Sequence, residues 1–364
     1  EPCPKAFVGF TREDSVYPTD RADTIVAHAY SIWKGEYVFQ KPLSLFKILP
    51  HLMKSDIIHI QHEYNILGWK GLPLFPLLFF LRFFYNGKTI LTLHNVPSKK
   101  TDRKESKIKS ILRRALYTTQ NAMIKHFSDY TLTHCEHFRN LLNEEYGFKL
   151  EKITAIPQAI KKIEMVPKRE LSRKELGLSG KNYLIIGTFV PDHGAADVVK
   201  QADKINGTVL IVTNASRAYK RNDKRVLDYL GYVKSLAKNP KIGKNVRFDL
   251  KELPFDLWWK YFAASDLILL PYKEGLASGI FSDAIAMQIP MVGSDIAYFK
   301  EFDKKYGIIE LATNGDFSSA INKAIKPENY GKMKKRMKEY LNEFGVSSIG
   351  KKYLPVYKKV TKEE

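Results

Sequence analysis

Cysteine is almost absent from this sequence: Cys3 and Cys135 are the only two in 364 residues. So widely spaced a pair makes neither a disulfide framework nor a metal-ligand motif, which points to a reducing compartment, the cytoplasm by default. Long apolar runs are missing too. The most apolar stretch, LPLFPLLFFLRFFY from Leu72 to Tyr85, is shorter than the ~18 residues of a membrane span and holds Arg82 and two prolines. It is expected to be a buried helix. No strand is followed by G-x-G-x-x-G, and G-x-x-x-x-G-K-[ST], H-E-x-x-H and G-x-S-x-G do not occur. Their absence weakens the standard dehydrogenase, NTPase, zincin and hydrolase readings. The sequons at Asn206 and Asn214 sit in or beside an apparent buried strand and read as chance matches. The chain opens at Glu1 with neither Met nor a signal pattern, as a processed or truncated chain would.

What is present is a globular balance, 44% hydrophobic and 12% aromatic, with a formal net charge of +20. That excess favours phosphate-bearing partners: nucleic acid, anionic lipid or a phosphorylated substrate. The charge is spread over both halves, with one local run. From Lys99 to Lys125, nine basic residues accompany only Asp102 and Glu105, and Ile108, Ile111, Leu112, Ala115 and Leu116 recur at helical spacing. This is a basic amphipathic helix, either a solvated face or a contact for an anionic membrane surface. No nucleic-acid recognition motif or stripe of interleaved aromatics is found, so no nucleic-acid partner is expected.

Continuous apolar strands alternate with helix-period segments, the pattern of parallel sheets covered on both faces. Strands are expected at 56–62, 88–96, 130–134 and 153–158, then at 182–189, 208–214, 245–250, 266–272, 290–295 and 307–312. Between the sets, Lys161 to Lys181 is polar, charged and carries a short helix signal, as an inter-domain linker would. Two α/β domains result.

In open parallel sheets ligands bind beyond the carboxyl ends of the strands. There HIQHEYNILG places His62 and Glu63, and TLHNVPSKK places His94 and Asn95. A lone histidine is commonly structural, but a convergent pair with a carboxylate suggests hydroxyl recognition. In the second set, LIIGTFVPDHGAADVV ends its strand at Gly187 and opens a helix near Ala195, and DLILLP runs through YKEGLASG into IFSDAIAMQ. Free N–H groups near Ser278, Gly279 and Ile280 could hold a phosphate. Glu274 and Asp283 are candidates for sugar hydroxyls, with a helix-dipole role as the alternative for Asp283.

These segments, in this order, resemble retaining GT-B glycosyltransferases of glycosyltransferase family 4. PLSLFKILPHLMKSDIIHIQHEYNILG looks like the acceptor-side loop and GKTILTLHNVPSKK like the next strand with its histidine. SDYTLTHCEHFRNLLNEEYGFKLEKITAIPQAI is similar to the close of the first domain, with Gln158 where Asn is usual. NVRFDLKELPFDLWWKYFAASDLILLPY and ASGIFSDAIAMQIPMVGSD match the donor region, and VSSIGKKYLPVYKKV resembles the final crossing helix.

The resemblance implies an α/β GT-B fold: two Rossmann-like domains with parallel sheets facing across a cleft. Residues 1–165 would bind acceptor, residues 166–342 nucleotide sugar, and residues 343–364 would cross back. It implies a metal-independent hexosyltransferase that retains anomeric configuration, uses a UDP- or GDP-linked donor and no cofactor, and acts on a glycan or lipid-linked acceptor. Such an enzyme would sit peripherally on the cytoplasmic membrane face, with residues 99–125 toward anionic lipid. His94 would lie near the transferred sugar and His62, Glu63 and Asn95 near the acceptor. The donor would meet Gly187, Thr188, His193, Ser278, Gly279, Ile280 and Asp283, the last on ribose.

Three departures accompany it. The Glu-x7-Glu signature falls on Gly275 and Asp283, leaving Glu274 as the substitute for the first carboxylate. Thr188 and His193 stand where Arg and Lys often neutralise the diphosphate. The glycine-rich loop of the first domain is not visible before EPCPKAF, so that domain either lacks its first strand or uses another loop. A catalytically silent scaffold of the same fold is the second reading.

Overall fold

The computed structural model describes residues 6–9, 56–62, 74–100, 107–163, 165–220, 222–275 and 278–362. The chain forms two compact units, Glu1–Ala159 with Val346–Glu364, and Ile160–Gly345.

The first unit contains β1 (Ala6–Gly9), β2 (Ile57–His62), α1 (Leu74–Phe84), β3 (Lys88–Leu93), α2 (Lys107–Phe127), β4 (Tyr130–Thr133), α3 (Glu136–Tyr146) and β5 (Ile153–Ala155). Its five strands are parallel in the order β1-β2-β3-β4-β5. Every residue of β2 and of β4 is buried, including the polar His59, Gln61, His62, Thr131 and Thr133. The first strand, left in question by the sequence, is present: β1 pairs with β2 from Ala6 to Gly9.

The apolar stretch expected to be a buried helix is helical but buried on one side only. Leu74, Leu78 and Leu81 of α1 face the core, whereas Phe79, Phe83 and Phe84 are exposed. Helix α2 begins at Lys107, residues 101–106 of the basic run lying outside the described residues.

The second unit contains α4 (Arg169–Leu176), β6 (Asn182–Ile186), α5 (Ala195–Val199), β7 (Thr208–Val212), α6 (Ala215–Lys220), α7 (Lys224–Leu236), α8 (Pro240–Gly243), β8 (Val246–Asp249), α9 (Phe255–Ala264) and β9 (Leu267–Leu270). It continues with α10 (Gly279–Ala286), β10 (Met291–Ser294), α11 (Ala297–Tyr306), β11 (Ile309–Ala312), α12 (Phe317–Ala324) and α13 (Pro327–Phe344). The parallel order is β11-β10-β9-β6-β7-β8. Strand order reverses between β6 and β9, the switch point where an open sheet leaves a crevice.

The segment expected to be a linker is folded into this unit. Asp266 accepts from Arg169 at 2.7 Å, from the Asn182 N–H at 2.7 Å and from Arg173 at 3.5 Å, pinning α4 to the starts of β6 and β9. The last helix, α14 (Val346–Lys362), belongs to the first unit. Lys359 donates to the Glu151 carbonyl at 2.8 Å and lies 5.1 Å from the Tyr130 ring centre.

Candidate functional site

In the first unit, strand register sets the arrangement. His62 is opposite Leu93 and Leu93 opposite Thr133, so three adjacent strands end in histidine, with His94 and His134 level with each other and one residue beyond His62. The His94 N–H donates to the His62 carbonyl at 2.9 Å. Side chains alternate along a strand, so His59 and Gln61 share one face of β2 and His62 takes the other. His94 accordingly finds Gln61 and His134 as ring partners, at 2.9 and 3.3 Å. The chain of contacts continues from Gln61 to His59 at 3.3 Å, and from His59 to Thr92 at 2.6 Å and Tyr357 of α14 at 2.7 Å. At its other end His134 Nδ1 meets the Ile156 carbonyl at 3.2 Å.

These imidazoles are neutral. Burial lowers His59 and His62 to about 3, with the charge of His134 adding to the effect on His59. Burial also takes His134 to about 4 against the raising effect of the Ile156 carbonyl. His94 lies well below its ordinary value through burial, and then through His134, His62 and His59.

One proton per ring constrains the direction of the chain. The Ile156 carbonyl requires His134 Nδ1–H, so His134 Nε2 accepts from His94 Nδ1–H, and His94 Nε2 must accept in turn. The structure places the Gln61 oxygen toward His94 Nε2 and its amide nitrogen toward His59 Nε2, so this proton order requires the Gln61 amide turned over, with the Tyr357 hydroxyl donating to His59 Nδ1. The amide as placed leaves a proton-free His134 Nδ1 against the Ile156 oxygen, unless His134 is charged. The side chain of Gln61 thus sets which face of His94 donates.

Asn95, next in the chain, holds a buried Oδ1 with no hydrogen-bond partner among the described residues. Such an oxygen is suited to a hydroxyl donor. Glu63 lies outside the described residues.

In the second unit, the expected donor residues gather at the switch point. Gly187 ends β6 at φ 107°, in the left-handed region, and a Cβ there would lie 3.0 Å from Ile280 and 3.7 Å from Trp258. Glycine is needed on both counts. The Cβ of any other residue at Gly194 would overlap the Pro271 carbonyl, so the start of α5 rests directly on the end of β9. Ser278 caps α10, its Oγ accepting from the Phe281 N–H at 3.3 Å and lying 2.9 Å from the Tyr272 hydroxyl. The N–H groups of Gly279 and Ile280, in the first turn, have no partner within the helix.

Asp283 is buried and already engaged. Its Oδ2 accepts from Trp258 Nε1 at 3.0 Å, and its Oδ1 lies 3.2 Å from Lys161 Nζ. Lys161 in turn stands 4.8 Å from the Trp259 ring centre and 5.7 Å from that of Phe255. A cation is therefore built in beside Asp283, from a residue the sequence assigned to a linker.

His193 follows Pro191 in a short turn and directs Nδ1 to the Thr188 carbonyl at 2.6 Å. Nδ1 is thus the protonated nitrogen, and the neutral ring offers Nε2 only as an acceptor. Burial lowers its pKa, the Thr188 carbonyl and Asp192 raise it, and Arg225 lowers it. Asp192 is paired with Arg225. Glu274 is half-buried in the loop after β9, immediately before Gly275. Among the described residues no group of three or more His, Cys, Asp or Glu side chains could hold a metal ion.

Sequence reasoning missed His134, Gln61, Trp258 and Lys161. The strand-end logic that found His62 and His94 applies equally to YTLTH and would have found His134. Gln61 gave a weaker signal, a polar residue inside an apolar strand.

No protein-family model and no curated protein matches the chain. Solved structures do. HepE from Anabaena in complex with UDP-glucose is similar at TM-score 0.66 and 12% identity, over 97% of this chain and 99% of that one. Sucrose-phosphate synthase from Thermosynechococcus elongatus is similar at TM-score 0.61 and 16% identity, over 92% and 83%. An E. coli trehalose-6-phosphate protein bound with UDP-2-fluoroglucose gives 0.61 and 15%, over 87% and 76%. The fold is GT-B. At these identities the likeness extends to architecture alone.

Proposed function

We propose that the chain is a nucleotide-sugar-dependent glycosyltransferase that retains anomeric configuration, works without a metal, and takes a UDP-linked hexose. The observation carrying this reading is the convergence, at the switch point of the second unit, of Gly187, the α10 amino end and buried Asp283. Gly187 lets a ligand approach the backbone, and the Gly279 and Ile280 N–H groups face the diphosphate. Asp283 accepts from ribose when Lys161 swings from the carboxylate toward phosphate. Bound UDP and UDP-sugar in the fold's neighbours supports the choice of base.

In the reaction the anomeric C–O bond to phosphate breaks, the acceptor oxygen bonds to the same face of the sugar, and its proton passes to the departing phosphate oxygen. Helix N–H groups and Lys161 stabilise the charge that develops on the leaving diphosphate. His94, neutral and held by Gln61 and His134 through both ring nitrogens, lies beside the transferred sugar, and Glu274 stands on the donor side. The acceptor, a glycan or lipid-linked saccharide presented at the cytoplasmic membrane face, meets His62, Glu63 and the unsatisfied oxygen of Asn95.

The test is incubation with UDP-glucose, UDP-galactose and UDP-N-acetylglucosamine, measuring UDP release and the anomeric configuration of the product by NMR. Retained configuration with one donor is the expected result, and failure of every donor to bind overturns the reading. A silent scaffold is favoured by one feature, the neutral His193 and Thr188 in the loop after β6. It predicts UDP binding without turnover.

A further inference from the structure

Among the described residues, helices α1 and α2 leave an apolar face exposed. On α2, Ile108, Ile111 and Leu112 are 72%, 65% and 64% exposed, and Ala115 continues their stripe. At 3.6 residues per turn the same stripe runs on through Thr119, Ala122 and His126. Those three line a groove of about 810 Å³ with Arg82, Phe83 and Phe127. Across the groove Phe83 of α1 is 62% exposed, and its ring centre lies 4.7 Å from Phe79 and 6.5 Å from Phe127. The exposed stripe and the groove are thus one surface.

Charge identifies the occupant. Neither α1 nor α2 contains an Asp or Glu, whereas Arg82, Lys107, Lys109, Arg113, Arg114 and Lys125 are basic. By helical geometry Lys107, Arg114 and Lys125 fall along one flank of the stripe and Lys109 along the other. An apolar stripe between basic flanks is the pattern of a helix lying in an anionic lipid interface, its stems extended so that the ammonium groups stay wet. A second copy of this chain would bring like charges together over the same face.

We propose that α1 and α2 form a docking surface for an anionic bilayer, with Ile108, Ile111, Leu112 and Phe83 in the headgroup-acyl boundary and the groove open to an acyl chain. This deepens the membrane-face part of the function proposed above but uses no residue of the donor site, so vesicle binding and sugar transfer fail independently.

The experiment is flotation of the full chain with phosphatidylcholine vesicles and with phosphatidylglycerol-containing vesicles, nucleotide sugar being absent. Binding to the anionic vesicles only is expected. Lys107→Ala with Arg114→Ala should weaken it roughly 30-fold, at about 1 kcal/mol per lost charge. Ile111→Ser with Leu112→Ser should weaken it at least about tenfold, with the melting temperature unchanged because both side chains are exposed. No binding to anionic vesicles overturns the proposal, as does binding that the serine variant leaves intact. A concentration-dependent dimer that the serine variant abolishes, without vesicle binding, assigns the face to a second copy and also overturns it.

Discussion

Two parallel sheets in this molecule finish their strands in opposite chemical styles. Along the first, His62, His94 and His134 stand at adjacent strand ends, every ring neutral, with His94 linked to Gln61 and His134. At the switch point of the second, two strand ends carry glycine, a helix amino end and an Asp283–Lys161 pair. The first offers directional hydrogen bonds without charge, which suits hydroxyls. The second offers N–H donors and a lysine beside a carboxylate, which suits phosphate. The same scaffold thus carries two different sets of polar groups at its strand ends.

The sharpest way to separate the two is acid. A buried histidine whose folded pKa lies below the ordinary 6.5 binds fewer protons folded than unfolded, so its stabilising effect is present above 6.5 and is lost as pH falls toward the folded value. His59 and His62 at about 3 and His134 at about 4 place that window between roughly pH 6.5 and pH 3 to 4. Each contributes ~1.4 kcal/mol of loss per pH unit within it. Peptide-resolved hydrogen exchange, corrected for intrinsic rates, should show β2 to β4 losing protection between pH 7 and 5 well before β6 and β9. Equal loss in both sheets would remove the contrast.

Next in size is Asp283→Ala. It strands the Trp258 N–H and leaves Lys161 without its carboxylate, at a cost of about 1–3 kcal/mol. Urea titration should show the second unit destabilised by that amount, with the first unchanged and the UDP response gone. Asp283→Asn should recover part of the stability, because its amide oxygen still accepts from Trp258.

A smaller effect is expected at His193. With Nδ1–H committed to Thr188, the ring can donate to phosphate only when Nε2 is also protonated, and a bound diphosphate raises its pKa. UDP affinity should therefore strengthen as pH falls from 8 to 6, by at most about tenfold per unit for one proton taken up. Asp192 and Arg225 face the same ring and oppose each other, so the slope should disappear in His193→Ala calorimetry. An unchanged slope would exclude this ring.

Smallest is Asn95→Ala. Removing a buried oxygen without a partner should leave the melting temperature unchanged or slightly raised while acceptor KM rises. A clear drop in melting temperature would show that Asn95 is structural.

Legibility in the sequence followed the physics of each element. Ten strands were visible because most are short, largely apolar segments with both faces covered, although β8 is only partly buried. β1 was not, being four residues with no flanking pattern. The Leu72 to Tyr85 stretch looked buried because composition carries no record of which side is covered, and Phe79, Phe83 and Phe84 face outward. His94 was found by its place at a strand end. Its partners Gln61 and His134 depend on register across three strands, which one sequence does not encode locally. Lys161 was hidden for a related reason, since a charged segment reads as linker until Asp283 is known to lie beside it.

The central claim is that the α10 amino end and Gly187 hold a nucleoside diphosphate. Amide NMR of the labelled full chain during titration with UDP tests it most directly. The account predicts saturable one-to-one shifts of the Gly187, Gly279 and Ile280 resonances, absent in Asp283→Ala. Saturable UDP binding that leaves those three amides unmoved, or no binding at all, would contradict it.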